Sequence, residues 1–414
     1  MALTVGEIQA AQLRLTGVVR TTPLLESRWW SAVAGAPIWL KAENLQRTGS
    51  FKIRGASNMI GQLSPEQRAR GVIAASAGNH AQGVAVAAQA AGIPALVVMP
   101  ETAPFAKVEA TRGYGAEIVQ AGASYQEAAA AMELIAAERG LTVVPAFDDE
   151  RIIAGQGTLG LEVVEQLPDL DLVIVPVGGG GLASGVAIAV KSLRPRARVI
   201  GVQAAAAPAA ARSLRRGAVE SVSATLTVAD GIAVARPGAI TFPLLQRYLD
   251  EIVVVGEEAI SEAIVGLMEY SKLVVEGAGA VGIAALLRGK IRCAGQTTVV
   301  VLSGGNLDFN LLARIIEHGL GQSGRYLNLR VAMDDRPGRL ANALAVLAGA
   351  GANVLDVQHR RTGSELTFGQ VEVELLLETR NPAHAEAVCA ALRDAGYRED
   401  PGEPRRGRRF VISA

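Results

Sequence analysis

Short apolar runs alternate with helical stretches along most of the chain. Val72–Ser76 and Leu172–Val177 are apolar runs of this kind, whereas Ala81–Ala91 and Tyr125–Arg139 have the composition of helices. Strands that are apolar on both faces and separated by helices are typical of parallel sheets covered by helices on both sides. The pattern therefore predicts an α/β unit up to about residue 320. Its other strand candidates are Ala95–Met99, Glu117–Ala121, Leu141–Ala146, Val199–Gln203, Ile252–Val255 and Thr298–Leu302.

The pattern changes after Gly319–Arg325, whose glycines and polar residues indicate a linker. Beyond it the predicted elements are a strand, a helix, two strands and a helix, which is typical of a small ferredoxin-like α+β domain. They are Tyr326–Met333, Leu340–Ala350, Asn353–Arg361, Leu366–Thr379 and Pro382–Ala395. Phe410–Ile412 could return to the sheet as a further strand, and the pattern leaves this open.

The charge balance narrows the classes of partner. The 40 basic residues equal the 40 acidic ones, which argues against a nucleic acid or an anionic membrane as a partner. Leu172–Val190 carries no charge, but the proline and glycines in its middle are unsuited to a lipid-exposed helix. Cys293 and Cys389 have no metal-binding spacing, and MALTVGEIQAAQ lacks the pattern of a signal peptide. We expect a cytoplasmic protein without a bound metal.

A glycine loop follows one of the predicted strands. In VIVPVGGGGLASG, a strand, a glycine turn and the start of a helix succeed one another, and this arrangement favours binding of a phosphate. Gly178, Gly180 and Ala183 also fit the dinucleotide pattern G-x-G-x-x-G/A. That fold requires an acidic residue about 20 positions later, whereas the next strand ends in Gln203. A phosphate other than that of a nicotinamide dinucleotide is favoured, and an NADP site using Arg198 stays open.

Lys52 lies between Phe51 and Ile53 in TGSFKIRGA, a stretch of small and apolar residues. Taken alone, it is more typical of a surface lysine whose stem covers apolar neighbours. Together with a phosphate-binding loop, it suggests pyridoxal phosphate, because a buried lysine amine tends to be neutral and nucleophilic.

Two polar loops lie at the ends of predicted strands, where open α/β sheets bind ligands. SAGNH, residues 76–80, could hold a carboxylate, and SGGN begins at Ser303. Simpler roles are as plausible: Asn79 as a helix N-cap, Ser303 as a turn hydroxyl and His80 as a structural imidazole. We interpret Asp308 as a helix cap and Glu276 as an ordinary helix carboxylate, neither with a part in the chemistry.

The motifs TGSFKIRGA, SAGNHAQG, PVGGGGLASG, VVEGAGA and LSGGN, in this order, resemble those of the threonine dehydratase (threonine ammonia-lyase) family of type II pyridoxal-phosphate enzymes. The resemblance covers residues 1–320, with a smaller lobe at about 41–147. After a linker at 321–325, residues 326–414 resemble an ACT regulatory domain through DRPGRL and GANV. The two resemblances together imply a two-lobed α/β fold with parallel sheets, followed by a ferredoxin-like α+β domain.

The resemblance also implies site roles. Lys52 would bond covalently to pyridoxal phosphate and remove the α-proton, Phe51 would lie near the pyridine ring, Asn79 would bind the ring hydroxyl, and Ser303 would face the pyridine nitrogen. The phosphate would be bound by Gly178, Gly179, Gly180, Gly181 and Leu182. The substrate carboxylate would be bound by Ser76, Ala77, Gly78, Asn79 and His80.

The implied activity is conversion of L-threonine to 2-oxobutanoate and ammonia, with L-serine as a second substrate. Ala77 occupies the position at which the related serine racemases carry a second serine, so we expect weak racemisation. The stretch QAAAAPAAA after the strand ending at Gln203 lacks the carboxylates with which some relatives bind a divalent metal.

For the second domain, the resemblance implies an amino-acid effector such as isoleucine or valine, bound by Asp335, Gly338 and Asn353. The plainer interpretation is a sheet that joins subunits, and we expect a homo-dimer or tetramer. Three other functions remain open: a dehydratase of another β-hydroxy amino acid, an inactive amino-acid-binding regulator, and an NADP oxidoreductase.

Overall fold

The computed structural model describes residues 3–223, 225–322, 324–361, 368–400 and 408–412. The chain divides into two units, Met1–Leu311 and Leu312–Ala414. The boundary lies within a helix, α14 (Phe309–Gln322), whereas the sequence suggested a linker at 321–325. Ser323 of that linker lies outside the described residues.

The first unit alternates strands and helices. Its strands are β1 (Leu24–Glu26), β2 (Ile38–Ala42), β3 (Val72–Ala75), β4 (Ala95–Met99), β5 (Glu117–Gln120), β6 (Thr142–Val143), β7 (Leu172–Pro176), β8 (Arg198–Ala204), β9 (Glu251–Val255) and β10 (Thr298–Leu302). Its helices are α1 (Val5–Leu15), α2 (Arg28–Ala34), α3 (Lys52–Ile60), α4 (Pro65–Arg70), α5 (Asn79–Ala91), α6 (Phe105–Gly113), α7 (Tyr125–Arg139), α8 (Glu150–Gln166), α9 (Gly181–Leu193), α10 (Ala209–Arg216), α11 (Thr241–Tyr248), α12 (Glu257–Gly266) and α13 (Gly277–Leu287).

These strands form two sheets. One has six strands in the order β1-β2-β10-β7-β8-β9, and all its pairs are parallel except β1 with β2. The other has four parallel strands in the order β5-β4-β3-β6. Strands β3, β7 and β10 are buried along their whole length, which explains why their sequences are apolar on both faces. The prediction of an α/β unit with parallel sheets is confirmed.

The uncharged run Leu172–Val190 is not one continuous helix. It consists of β7, the glycine turn and most of α9. Among the residues that the structure describes, no helix has the length and apolarity to span a membrane, and no group of three or more His, Cys, Asp or Glu side chains could hold a metal ion.

The second unit is an antiparallel α+β layer with one parallel strand pair. Its elements are β11 (Tyr326–Asp334), α15 (Arg339–Gly349), β12 (Asn353–Arg360), β13 (Gln370–Glu378), α16 (Pro382–Asp394), β14 (Tyr397–Asp400) and β15 (Arg408–Ile412). The sheet order is β12-β13-β11-β15-β14. Alternate residues of β13 are buried against the helices, as the alternating sequence predicted. The last strand, which the sequence left open, is present as β15 and pairs in parallel with β11.

Candidate active site

Three helices of the first unit begin at residues that the sequence singled out. α3 begins at Lys52, α5 at Asn79 and α9 at Gly181. Short loops connect β3 to α5 and β7 to α9, and Ser303 follows β10. Since ligands of open α/β sheets bind beyond the carboxyl ends of the strands, these segments form one candidate site.

The loops around Lys52 and Ser303 are joined by backbone contacts. The Phe51 N–H donates to the Ser303 carbonyl oxygen at 3.1 Å, and Ser50 pairs with Gly304 as an isolated β-bridge. The Ser303 side chain is buried. The first and the last of the five motifs therefore meet in space.

The Lys52 amine lies near an aromatic ring and a main-chain carbonyl. Its Nζ donates to the Ala146 carbonyl oxygen at 2.9 Å and lies 5.3 Å from the centre of the Phe51 ring. Burial lowers the pKa of this amine to about 8, and the Glu276 carboxylate opposes the shift. The neutral, nucleophilic amine is therefore accessible closer to neutral pH than in an exposed lysine.

The glycine loop packs against the segment that contacts this amine. Phe147 follows Ala146, and its ring is so close to the loop that a Cβ on Gly179 would overlap it. Gly180 has a φ of 101°, in the left-handed region that favours glycine. Because the first N–H groups of α9 have no acceptor within the helix, they are available to an anion. The lysine amine and the loop thus flank one short segment, Ala146–Phe147.

The other members of the loop are closely packed. A Cβ on Gly178 would lie 3.1 Å from the Ile232 Cα, and one on Gly181 would lie 3.0 Å from Phe147. Leu182, in the first turn of α9, is buried. Substitution of these glycines would therefore require the surrounding backbone to move.

Asn79 is fixed by side chains from two other loops. Its Nδ2 donates to Glu276 Oε1 at 2.7 Å, and its Oδ1 accepts from Asn306 Nδ2 at 2.6 Å. The Asn306 amide also donates to the Thr48 carbonyl oxygen at 2.7 Å. The N-cap of α5 is Gly78, so the N-cap interpretation of Asn79 is wrong.

Glu276 belongs to the site, although we interpreted it from the sequence as an ordinary helix carboxylate. It precedes α13 but makes no side-chain cap to that helix, and it bonds to Asn79 instead. Burial raises the pKa of this carboxyl to about 7; Asp230 adds to the shift, while the Asn79 hydrogen bond, Lys107 and Lys52 oppose it. The only sequence signal was a carboxylate among the small residues of VVEGAGA.

In the loop 76–80, the Gly78 N–H donates to Ser76 Oγ at 3.1 Å, and Ala77 is half-buried. His80 is buried, and its Nε2 donates to the Val144 carbonyl oxygen at 2.8 Å. Burial, together with the Lys52 charge, lowers the pKa of His80 to about 3. The imidazole is therefore neutral and supports the loop, in agreement with the structural alternative.

Asp308 accepts from the Asn310 N–H at 2.8 Å, as expected of a helix cap.

The three candidate effector residues lie in the second unit. Gly338 has a φ of 90° and precedes α15 as its N-cap. Asp335 forms an ion pair with Arg361 at 3.2 Å, and Asn353 Nδ2 donates to Glu378 Oε2 at 3.1 Å. Among the described residues, no hydrogen bond joins these three to one another.

The family model described as pyridoxal-phosphate dependent enzyme matches residues 15–304. The chain belongs to this family. It is 50% identical over 395 residues to an L-threonine ammonia-lyase of Thermotoga maritima, covering 95% of this chain and 98% of that protein.

Two solved structures are similar to the chain. The processed form of threonine deaminase isoform 2 from Solanum lycopersicum has a TM-score of 0.72 and 39% identity, covering 75% of this chain and 86% of that one. Maize serine racemase has a TM-score of 0.73 and 36% identity, covering 78% of this chain and 99% of that one.

The site of this pyridoxal-phosphate enzyme fits its cofactor. The cofactor has an aldehyde, an aromatic ring and a phosphate. For these three groups the chain offers the Lys52 amine, the Asn79 amide and the N-terminus of α9, which is preceded by glycines. Gly179 is decisive, because any side chain there would overlap Phe147 and displace the backbone of the glycine loop.

Proposed function

We propose that this chain is an L-threonine ammonia-lyase that forms 2-oxobutanoate and ammonia and also converts L-serine to pyruvate. One observation carries the proposal: adjacent residues connect the two ends of the cofactor site. Ala146 accepts the hydrogen bond from Lys52, and Phe147 packs on the glycine loop. The identity of 50% with an L-threonine ammonia-lyase over nearly the whole chain supports the choice of substrate.

When bound, pyridoxal phosphate supplies an electron sink for negative charge at the substrate α-carbon. Lys52 would hold the cofactor through its aldehyde, and its neutral amine would be the base that accepts the substrate α-proton. A pKa of about 8 supports this role, because the amine is neutral often enough near neutral pH. Phe51 would lie beside the cofactor ring, and Asn79, whose Nδ2 donates to Glu276, would bind the ring hydroxyl.

Ser303 would face the pyridine nitrogen of the cofactor with a neutral hydroxyl. A neutral group cannot hold a full proton there, which weakens the electron sink and favours loss of the β-hydroxyl over transamination. The cofactor phosphate would be bound through main-chain N–H groups of Gly178, Gly179, Gly180, Gly181 and Leu182. Ser76, Ala77, Gly78, Asn79 and His80 form the loop that receives the substrate carboxylate.

The main alternative is another β-hydroxy amino acid, and the likeness to maize serine racemase makes serine the first to compare. Ala77 supports elimination over racemisation. A nicotinamide function is disfavoured, because Gln203 is occupied: its Nε2 donates to the Val177 carbonyl oxygen at 3.2 Å, and its Oε1 accepts from the Ala211 N–H at 2.8 Å. An inactive regulator would have no need of the complete lysine and phosphate site.

The test is a panel of β-hydroxy amino acids assayed for release of 2-oxo acids, with L-threonine expected to have the highest kcat/KM. In parallel, borohydride treatment followed by peptide mass analysis should attach the cofactor to Lys52. Lys52→Ala should lose both the label and turnover. An active Lys52→Ala variant would overturn the lysine assignment, whereas a labelled protein that prefers another amino acid would overturn only the substrate.

We further propose that the second unit is an ACT domain that binds isoleucine or valine and regulates a homo-oligomer. Because the similarity to the Thermotoga maritima relative covers 95% of this chain, it extends into the second unit. Gly338 supports an anion site, because it leaves main-chain N–H groups at the start of α15. Asp335 and Asn353 flank it in the proposal. The scarcity of cysteine, with Cys293 and Cys389 in different units, supports a cytoplasmic location.

A further inference from the structure

An ion pair connects the helix α6 to a segment outside its own sheet. Nζ of Lys107, in α6, lies 3.2 Å from Asp230 Oδ2. The neighbouring Val108 is buried against Val97 and Met99 of β4, so α6 belongs to the four-stranded side of the unit. Asp230 begins a short 3-10 turn, Asp230–Ile232, between α10 and α11 on the side of the six-stranded sheet.

The segment 227–232, here called the wall segment, contacts both halves of the active site. Ile232 lies against the glycine loop, since a Cβ on Gly178 would be 3.1 Å from its Cα. Gly231 lies next to the carboxylate of Glu276, since a Cβ on Gly231 would be 3.7 Å from Glu276 Oε1. Two consecutive residues, Gly231 and Ile232, thus bridge Glu276 and the glycine loop.

The wall segment is anchored away from α6. Thr227 Oγ1 donates to Glu257 Oε1 at 2.7 Å, and the Val228 N–H donates to Glu257 Oε2 at 2.8 Å. The Val228 carbonyl also lies over Gly277, with no room for a Cβ. One side of the Lys107–Asp230 pair is therefore fixed to the active site, and the other is carried by a helix of the four-stranded side.

We propose that Lys107 and Asp230 form a charge latch that holds α6 against the wall segment and closes the active site over its substrate. The pair suits a reversible closure, because its side chains are 23% and 62% exposed and such pairs are weak and screened by salt. A permanent link between the two sides would require burial. The role is one of positioning, and for its kinetic readout it depends on the proposed function.

The latch also changes the electric field at Glu276. The charged groups that act on this carboxyl are Lys52 of α3, Lys107 of α6 and Asp230 of the wall segment. Asp230 raises its pKa, whereas Lys107 lowers it. Removing one or the other charge should thus move the titration of Glu276 in opposite directions, although either change opens the latch.

Lys107→Gln and Asp230→Asn test the proposal. Both should raise KM for L-threonine about two- to fivefold, the range expected for an exposed pair. In the unaltered protein KM should rise with salt concentration, because salt screens the pair, and both variants should lose this dependence. The low-pH limb of kcat/KM should move up in pH in Lys107→Gln and down in Asp230→Asn.

The exchanged variant Lys107→Asp/Asp230→Lys should recover most of the affinity. Arg139→Gln, which breaks the exposed pair of Arg139 with Glu117 at 3.1 Å, is the matched control and should leave KM unchanged.

Hydrogen–deuterium exchange of the cofactor-free protein tests closure without turnover. Both single variants should speed exchange in α6, and the control should not. Unchanged exchange in α6, or single variants whose KM equals that of the unaltered protein, would overturn the latch. An exchanged variant as impaired as the single ones would also overturn it. If L-threonine is not the substrate, the exchange measurement still decides.

Discussion

Lys52 and Glu276 are moved toward their neutral forms by the same burial. The pKa of the amine falls to about 8, and that of the carboxyl rises to about 7. Their mutual attraction opposes both shifts. Burial therefore brings the two pKa values toward each other, and the protonation state of each group depends on the other.

Glu276→Gln isolates this coupling. The variant keeps an oxygen acceptor for Asn79 but removes the negative charge that raises the Lys52 pKa, so the pKa of the amine should fall below about 8. We expect the rate at which the cofactor-free protein captures pyridoxal phosphate to rise with pH, with a lower midpoint in Glu276→Gln, since capture requires the neutral amine.

The control for this titration is Glu262→Gln, because Glu262 lies on α12 in an exposed pair with Arg288. It should leave the midpoint unchanged. A midpoint in Glu276→Gln that equals that of the control, or lies above it, would show that Glu276 does not hold a charge near the amine.

At this scale the sequence identified groups that carry their own local signature. Lys52 and Gly178–Gly181 could be proposed from the sequence because flanking residues within each motif indicate the chemistry. Glu276 was missed because its partner Asn79 is 197 positions away, and no local pattern shows where a side chain points. The proposed latch of Lys107 and Asp230 could not be predicted for the same reason, since the two residues are far apart in sequence.

Helix α3, which begins at Lys52, is held by a buried set of four charges, here called the charge quartet: Lys41, Glu43, Arg54 and Glu162. Arg54 Nε and Nη2 each donate to Glu43 at 2.8 Å, and Nη1 donates to Glu162 at 2.7 Å. Lys41 Nζ donates to Glu162 Oε2 at 2.6 Å. Two cations and two anions balance, and they tie α3 to β2 and α8.

Arg54→Met should destabilise the first unit by about 3–5 kcal/mol, because it leaves two buried carboxylates with one lysine. Arg54→Lys should lose less, since it keeps the charge but not the planar fork. The measurement is urea unfolding followed by tryptophan fluorescence, which reports the first unit because Trp29, Trp30 and Trp39 all lie there. A loss below about 1 kcal/mol, the range of exposed pairs such as Arg139–Glu117, would mean that the quartet does not hold α3.

Elements with uniform burial were the easiest to predict. Ala95–Met99 and Thr298–Leu302 have the same bounds in sequence and structure because nearly all of their residues are buried. Strand β2 was not predicted, since Lys41 interrupts its apolar run and is buried only through the quartet. The strand predicted at Leu141–Ala146 shortens to β6, Thr142–Val143, and the chain beyond it carries the carbonyl that meets Lys52.

The whole molecule joins a catalytic unit to a second unit whose sheet is extended by β15. The sequence pattern predicted the core of that unit, but β15 follows a polar tail and pairs with β11 far earlier in the chain, so local periodicity could not indicate its position. An effector bound to the second unit changes catalysis only if it binds two states of the protein with different affinity.

Gly338→Ala tests the proposed effector site. Gly338 has a φ of 90° with open space around it, so an added methyl group strains the backbone at the start of α15 without a steric clash. Gly396→Ala is a matched control, since Gly396 has a φ of 89° and equally open space elsewhere in the same unit. Isoleucine or valine should shift threonine turnover in the unaltered protein and in Gly396→Ala, whereas the response should weaken at least several-fold in Gly338→Ala. An equal response in both variants would exclude Gly338 from the site, and no response in the unaltered protein would favour a second unit that only joins subunits.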